Sequence, residues 1–103
     1  MAYQSDCVAY LIGDRHLFRL GGHHARTPWM AVAWLMLRAE HIADQLDAPA
    51  AVPVRGWMAD GREHARAVAR LGRGETYSYL VRDGSLVYLL TTAPGVVVAS
   101  PEP

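Results

Sequence analysis

Residues 27–46 read as one helix with apolar side chains on two opposite faces. At about 100° per residue, Val32, Leu35, Ala39, Ile42 and Leu46 form a 3,4,3,4 seam suited to a core. Met30, Trp34, Leu37 and His41 form a second stripe ~180° away. A helix in a small domain buries one face, so the second stripe calls for a further layer of this chain, a partner chain or a ligand. Thr27-Pro28 marks the start, because threonine accepts from free backbone amides and proline lacks the donor that would be orphaned there.

Elsewhere the pattern alternates. Residues 7–12 and 16–20 read as two strands joined at Gly13-Asp14, where glycine in first place suits a type II′ turn. In that register Cys7, Ala9, Leu11, His16, Phe18 and Leu20 share one face, the expected core side. Residues 21–24, Gly-Gly-His-His, read as a loop. Residues 47–53 read as a break and 54–58 as a short edge strand, since Pro53 cannot donate to a ladder. Asp60-Gly-Arg-Glu63 fits a D-x-x-E variant of the capping box and opens a second helix ending before Gly72 or Gly74. His64, Ala67, Val68 and Leu71 form its inner face.

Residues 75–82 and 85–92 alternate around Asp83-Gly84, a strong hairpin signal. The predicted pairs are Val81 with Leu86, Tyr79 with Tyr88 and Tyr77 with Leu90. Pro94-Gly95 is a turn signal before a last strand at 96–99, and residues 100–103 are expected to be a frayed tail. The implied class is α+β: an antiparallel sheet, made of an N-terminal hairpin plus a C-terminal meander, with two helices packed mainly on one face. In element order it is similar to PAS-like and profilin-like sensor folds, where helices lie between such a hairpin and such a meander.

A chain of 103 residues is expected to be a single domain burying ~65% of the surface its unfolded form would expose. All ten basic residues are arginine, with no lysine and no asparagine, a pattern of GC-rich coding that discounts arginine counts. Ten acidic residues balance them, so no overall field recruits nucleic acid or an anionic membrane. Cys7 is the only cysteine, which excludes an internal disulfide. With no basic leader-like N-terminus and no apolar run near ~20 residues, the expectation is a cytoplasmic chain without a membrane span.

Five histidines raise metal binding, yet no C-x-x-C, H-x-x-x-H or H-E-x-x-H spacing supplies a ligand set, and neither metal nor cofactor is expected. His23-His24 reads as solvated loop, and Cys7 as a small buried hydrophobe with no cation to activate it. No G-x-S-x-G elbow, G-x-G-x-x-G or Walker loop occurs. His64 faces the sheet near Tyr79 and Tyr88, a set able to do acid-base work on a small ligand; the blander reading is a core-edge histidine bonded to its surroundings. Arg62, Arg66 and Arg70, extended by Arg73, form a ridge that would suit phosphates or an acidic partner, but Asp60, Glu63 and Glu75 flank it.

Three functions follow in order. The first is a self-associating binding or regulatory module, a homodimer or protein-partner domain using Met30, Trp34, Leu37 and His41 of the first helix. The second is a cofactor-independent enzyme or small-molecule sensor with a cavity between the second helix and the sheet, served by His64, Tyr79 and Tyr88. The third is a local phosphate or nucleic-acid contact through the arginine ridge. A module predicts a filled core and an exposed stripe; an enzyme predicts polar groups converging on a cavity.

Overall fold

The computed structural model describes residues 2–95, so the predicted strand at 96–99 and the tail at 100–103 lie outside the described residues. Strand β1 (Tyr3–Leu11) alternates buried and half-buried positions, with Tyr3, Ser5, Cys7 and Ala9 turned inward. Leu11 accepts from the Asp14 amide at 3.0 Å and Gly13 has φ 90°. Positive φ at the third residue is the sign pattern of a type II turn, not the type II′ turn expected. The chain then crosses to β2 (Phe18–Ala25), so the connection is longer than two residues and Gly21-Gly22-His23-His24 is strand, not loop.

Pairing of β2 with β1 corrects the predicted inner face as well. Cys7 opposes Gly21 while Val8 opposes Arg19, leaving Leu20 as the extra residue of a bulge. Phe18 and Leu20 are exposed, and only Ala25 of β2 is buried. The predicted core face therefore holds for Cys7 and Ala9 and fails for Leu11, His16, Phe18 and Leu20.

Thr27 caps the first helix as expected: its side chain accepts from the Met30 amide at 3.1 Å. Helix α1 (Pro28–Ala43) ends three residues early, and Val32, Leu35, Ala39 and Ile42 are buried as the seam predicts. The expected edge strand at 54–58 is instead part of α2 (Ala48–Met58), with Pro at its first turn and Pro53 inside it. Ala51, Val54 and Trp57 recur every three residues and are buried against the rest of the core. That burial outweighs the backbone bond that Pro53 removes.

Asp60 caps α3 (Gly61–Gly72) by accepting from the Glu63 amide at 3.1 Å. Its end is a Schellman motif: Glu75 N–H donates to the Arg70 carbonyl and Gly74 N–H to that of Leu71, with Gly74 at φ 85°. Strands β3 (Tyr77–Asp83) and β4 (Leu86–Pro94) form the C-terminal hairpin. Its register is slipped by two residues from the expected one: Val81 pairs with Tyr88, Tyr79 with Leu90 and Tyr77 with Thr92. The loop is Gly84-Ser85, with Gly84 at φ 62° and no positive φ at Ser85, the sign pattern of type II′. An even slip keeps every side chain on its predicted face.

The two hairpins join through β1 and β4, giving one antiparallel sheet in the order β2-β1-β4-β3. The architecture is thus α+β with four described strands and three helices, not two. All three helices contact one another or the inner side of the sheet, α1 over β1, β2 and β4, and α2 and α3 toward β3. Leu35, Leu71, Leu90 and Cys7 are wholly buried between these layers. The buried Ser5 and Thr92 hydroxyls satisfy each other at 2.7 Å across the β1–β4 ladder. Among the described residues no helix is long and apolar enough to cross a membrane.

Candidate functional site

The second stripe of α1 is left uncovered. Met30 is 50% exposed and Leu37 48%, His41 is exposed, and Trp29, one position before Met30, is 53% exposed. The α2 segment does not supply a further layer over this stripe: it packs on another flank, with Trp57 buried toward Tyr77, Tyr79 and His64. Trp34 departs from the stripe. Its indole stacks on His23 of β2 at 5.9 Å, the Arg38 guanidinium lies 5.6 Å from the ring centroid, and the side chain is half-buried against the core.

His64 is buried as predicted, but the structure does not bring His64, Tyr79 and Tyr88 together around a cavity. Trp57 fills the space. It meets the His64 ring edge-on at 4.9 Å and stacks on Tyr79 at 4.3 Å. Its indole N–H donates to the Tyr77 hydroxyl at 3.0 Å, and that hydroxyl donates to Glu63 at 2.8 Å. Burial pushes the Tyr77 phenol up to about 12, with the Trp57 N–H opposing and the Glu63 carboxylate reinforcing the rise. Burial raises Tyr79 as well. His64 Nε2 is buried without a hydrogen-bond partner. These groups brace α2 and α3 against the sheet, with the Trp57 ring in direct contact with His64 and Tyr79.

Tyr88 lines a different space. A cleft of about 190 Å³, half open to solvent, lies between α1 and the sheet, bordered by Cys7, Arg38, His41, Gln45 and Tyr88, with Leu20 and Ile42 as apolar walls. Arg38 donates to the Leu20 carbonyl at 2.6 Å. Burial pushes the Cys7 thiol up, while the charge and side-chain hydrogen bond of Arg38 pull it down. The cation that the sequence did not place beside Cys7 is therefore Arg38, one helix face away. Arg38, His41 and Gln45 follow one another at 3,4 spacing, a polar line beside the apolar stripe that the sequence does carry.

The arginine ridge is exposed and largely engaged. Arg66 lies 3.8 Å from Glu63, while Arg70 and Arg73 reach Glu75 at 3.5 and 2.9 Å. Arg70 also donates to the Thr76 carbonyl. The Arg73 hydrogen bond, with the charges of Arg73 and Arg70, holds the Glu75 carboxyl below its usual range. A phosphate there meets two carboxylates before it meets a free cation, whereas Arg62, the first of the ridge, stands exposed. Comparison with known protein families, with curated proteins and with solved structures finds no match to this chain, so the likeness of element order to sensor folds carries no argument and its chemistry rests on geometry.

Proposed function

We propose that the chain is a self-associating binding module whose interface is the outer face of α1. The observation that carries this reading is the exposure of Trp29, Met30 and Leu37 along the outer face of α1. Isolated apolar side chains are ordinary on a surface, but three large ones on one helix face have the residue chemistry of an interface core.

The pattern favours a second copy as the occupant. Trp29, Met30, Ala33, Leu37 and Glu40 follow a single 3,4-type seam of α1, and Arg26 lies just before the helix starts. Arg26 and Glu40 are both exposed and neither joins an ion pair among the described residues. Two copies crossing antiparallel at Ala33 bring Trp29 of each against Leu37 of the other. Glu40 of each copy then lies near the start of the other's α1, where Arg26 stands two residues before Pro28. The small Ala33 lets the backbones approach at the crossing. Trp34 and His41 sit at the border of this interface on the β2 side.

Sedimentation equilibrium tests it. The parent is expected to be a dimer, Leu37→Arg a folded monomer, and Arg26→Glu a weakened dimer that the added change Glu40→Arg restores. A monomeric parent overturns the proposal. So does a dimer that survives Leu37→Arg but is lost on Leu80→Arg, which would place the interface on the outer side of the sheet.

A further inference from the structure

The cavity between α1 and the sheet has a composition of its own, distinct from the outer seam. Its polar border is made of Arg38, Gln45, Tyr88 and His41, each of which carries a group able to donate. No aspartate or glutamate lines it. Its remaining surface is apolar, with Cys7 wholly buried and Ile42 nearly so. Donors on one side and aliphatic walls on the other match a molecule that is anionic at one end and apolar at the other.

Arg38 is held for such a role. One Nη donates to the Leu20 carbonyl and the guanidinium packs on the Trp34 ring, which together fix its plane. The strand makes room for it: a Cβ on Gly21 would lie 3.2 Å from Arg38 Nη2 and 3.5 Å from the Trp34 ring. The bulge at Leu20 turns that carbonyl toward α1 and the Leu20 side chain toward the cavity.

We infer that this cavity binds a small monocarboxylate with an apolar body, its carboxylate on Arg38, Gln45 and Tyr88 and its body against Leu20, Ile42 and Cys7. Size sets the limit. A void near ~150 Å³ accommodates benzene, so about 190 Å³ takes one ring or a short chain plus the carboxylate. Fixed-plane arginine favours a carboxylate, which it grips with two parallel bonds. The desolvated Cys7 thiol serves as wall, not nucleophile, because burial holds it protonated at neutral pH. The inference stands on the cavity alone and does not depend on self-association.

Titration of the full chain with benzoate, followed by amide NMR, tests it. Saturable shifts are expected at Cys7, Leu20, Gly21, Arg38 and Tyr88. Benzamide, the neutral isostere, and acetate, the anion without the body, should each bind at least about tenfold more weakly. Tyr88→Phe and Gln45→Leu should each weaken benzoate about three- to tenfold, and Arg38→Met at least about tenfold. Should Arg38→Met fail to fold, the other two variants and the two analogues decide. Absence of saturable shifts at these residues, equal binding of benzamide, or full affinity in Tyr88→Phe and Gln45→Leu together would overturn the assignment. Inorganic phosphate binding as well as benzoate would show an oxyanion site without an apolar subsite, and the carboxylate assignment would fall. Sedimentation reads the seam and this titration reads the cavity, so each can fail alone.

Discussion

Removing one oxygen from Tyr77 should destabilise the fold through the side chain it leaves behind. Tyr77 and Trp57 are 5% and 7% exposed, and the Trp57 indole donates to the Tyr77 hydroxyl at 3.0 Å. In Tyr77→Phe that N–H stays buried with no acceptor, at a cost of about 1–3 kcal/mol. The same change frees Glu63, but its carboxylate side chain is 31% exposed and turns to water, so that loss is only ~0–1 kcal/mol. The sum is about 2 kcal/mol, or a fall in Tm on the order of 10 °C for a domain of this size.

A double-mutant cycle separates the two parts. Trp57→Phe removes the donor, so in that background Tyr77→Phe should cost only the Glu63 share, about 0.5 kcal/mol. The coupling between the two positions is then about 1–2 kcal/mol. Urea unfolding of the parent, both single variants and the double variant measures it, with an unchanged m-value as the check that the unfolding reaction is the same. A coupling below about 0.5 kcal/mol would refute the view that Trp57 depends on Tyr77 for its only buried acceptor.

Three further outcomes are expected. The Tyr77 phenol is raised above its ordinary value of about 10 to about 12, so its contribution is intact below pH ~10 and is lost as pH rises through about 12; stability measured across that window should fall, and fall less in Tyr77→Phe. A parent whose stability is flat from pH 10 to 12 would contradict the burial of Tyr77 and Tyr79. Gly84→Val should destabilise by about 1–3 kcal/mol, since φ 62° is strained for a β-branched residue; a Tm equal to the parent's would show that the turn tolerates another shape. Leu35→Ala, at a wholly buried position, should cost about 2–5 kcal/mol in chemical unfolding, and a loss under 1 kcal/mol would mean that α1 presents another face to the sheet.

What could be read from the sequence was whatever a local rule determines. Thr27 and Asp60 cap because their side-chain oxygens reach amides three residues on, and the α1 seam is buried because 3,4 spacing allows no other common face. The faces of the C-terminal hairpin survived a wrong register because the slip was even. What escaped was decided by packing at long range. Pro49 and Pro53 argue locally for a break, yet the three-residue recurrence of Ala51, Val54 and Trp57 against α1 and β3 stabilises a helix through them. Two adjacent glycines argue locally for a loop, yet Gly21 and Gly22 lie in β2, paired with Cys7 and Asp6, and Arg38 and Arg19 occupy the space that side chains there would need.

The candidate site was legible to the same degree and for the same reason. Periodicity identifies the outer stripe of α1, but Trp34 leaves it because His23, which reads as loop, is carried on β2 to within stacking distance. Periodicity also places His64 inward, but Trp57, assigned to an edge strand, arrives on α2 and takes the space beside it. Arg38 shows the dependence most clearly. It has no role in a one-dimensional reading, being a lone cation on a mostly apolar helix. Once the bulge at Leu20 presents a carbonyl to it and Gly21 clears its approach, the same arginine joins α1 to the sheet edge and borders the cavity over Cys7. One helix thereby serves three directions: its seam fills the core, its outer line stays open, and its β2 side carries the polar groups between them. An element used on every side cannot hide a face, which is why α1 carries both the proposed interface and the proposed ligand site while α3, with arginines opposite its buried face, carries neither.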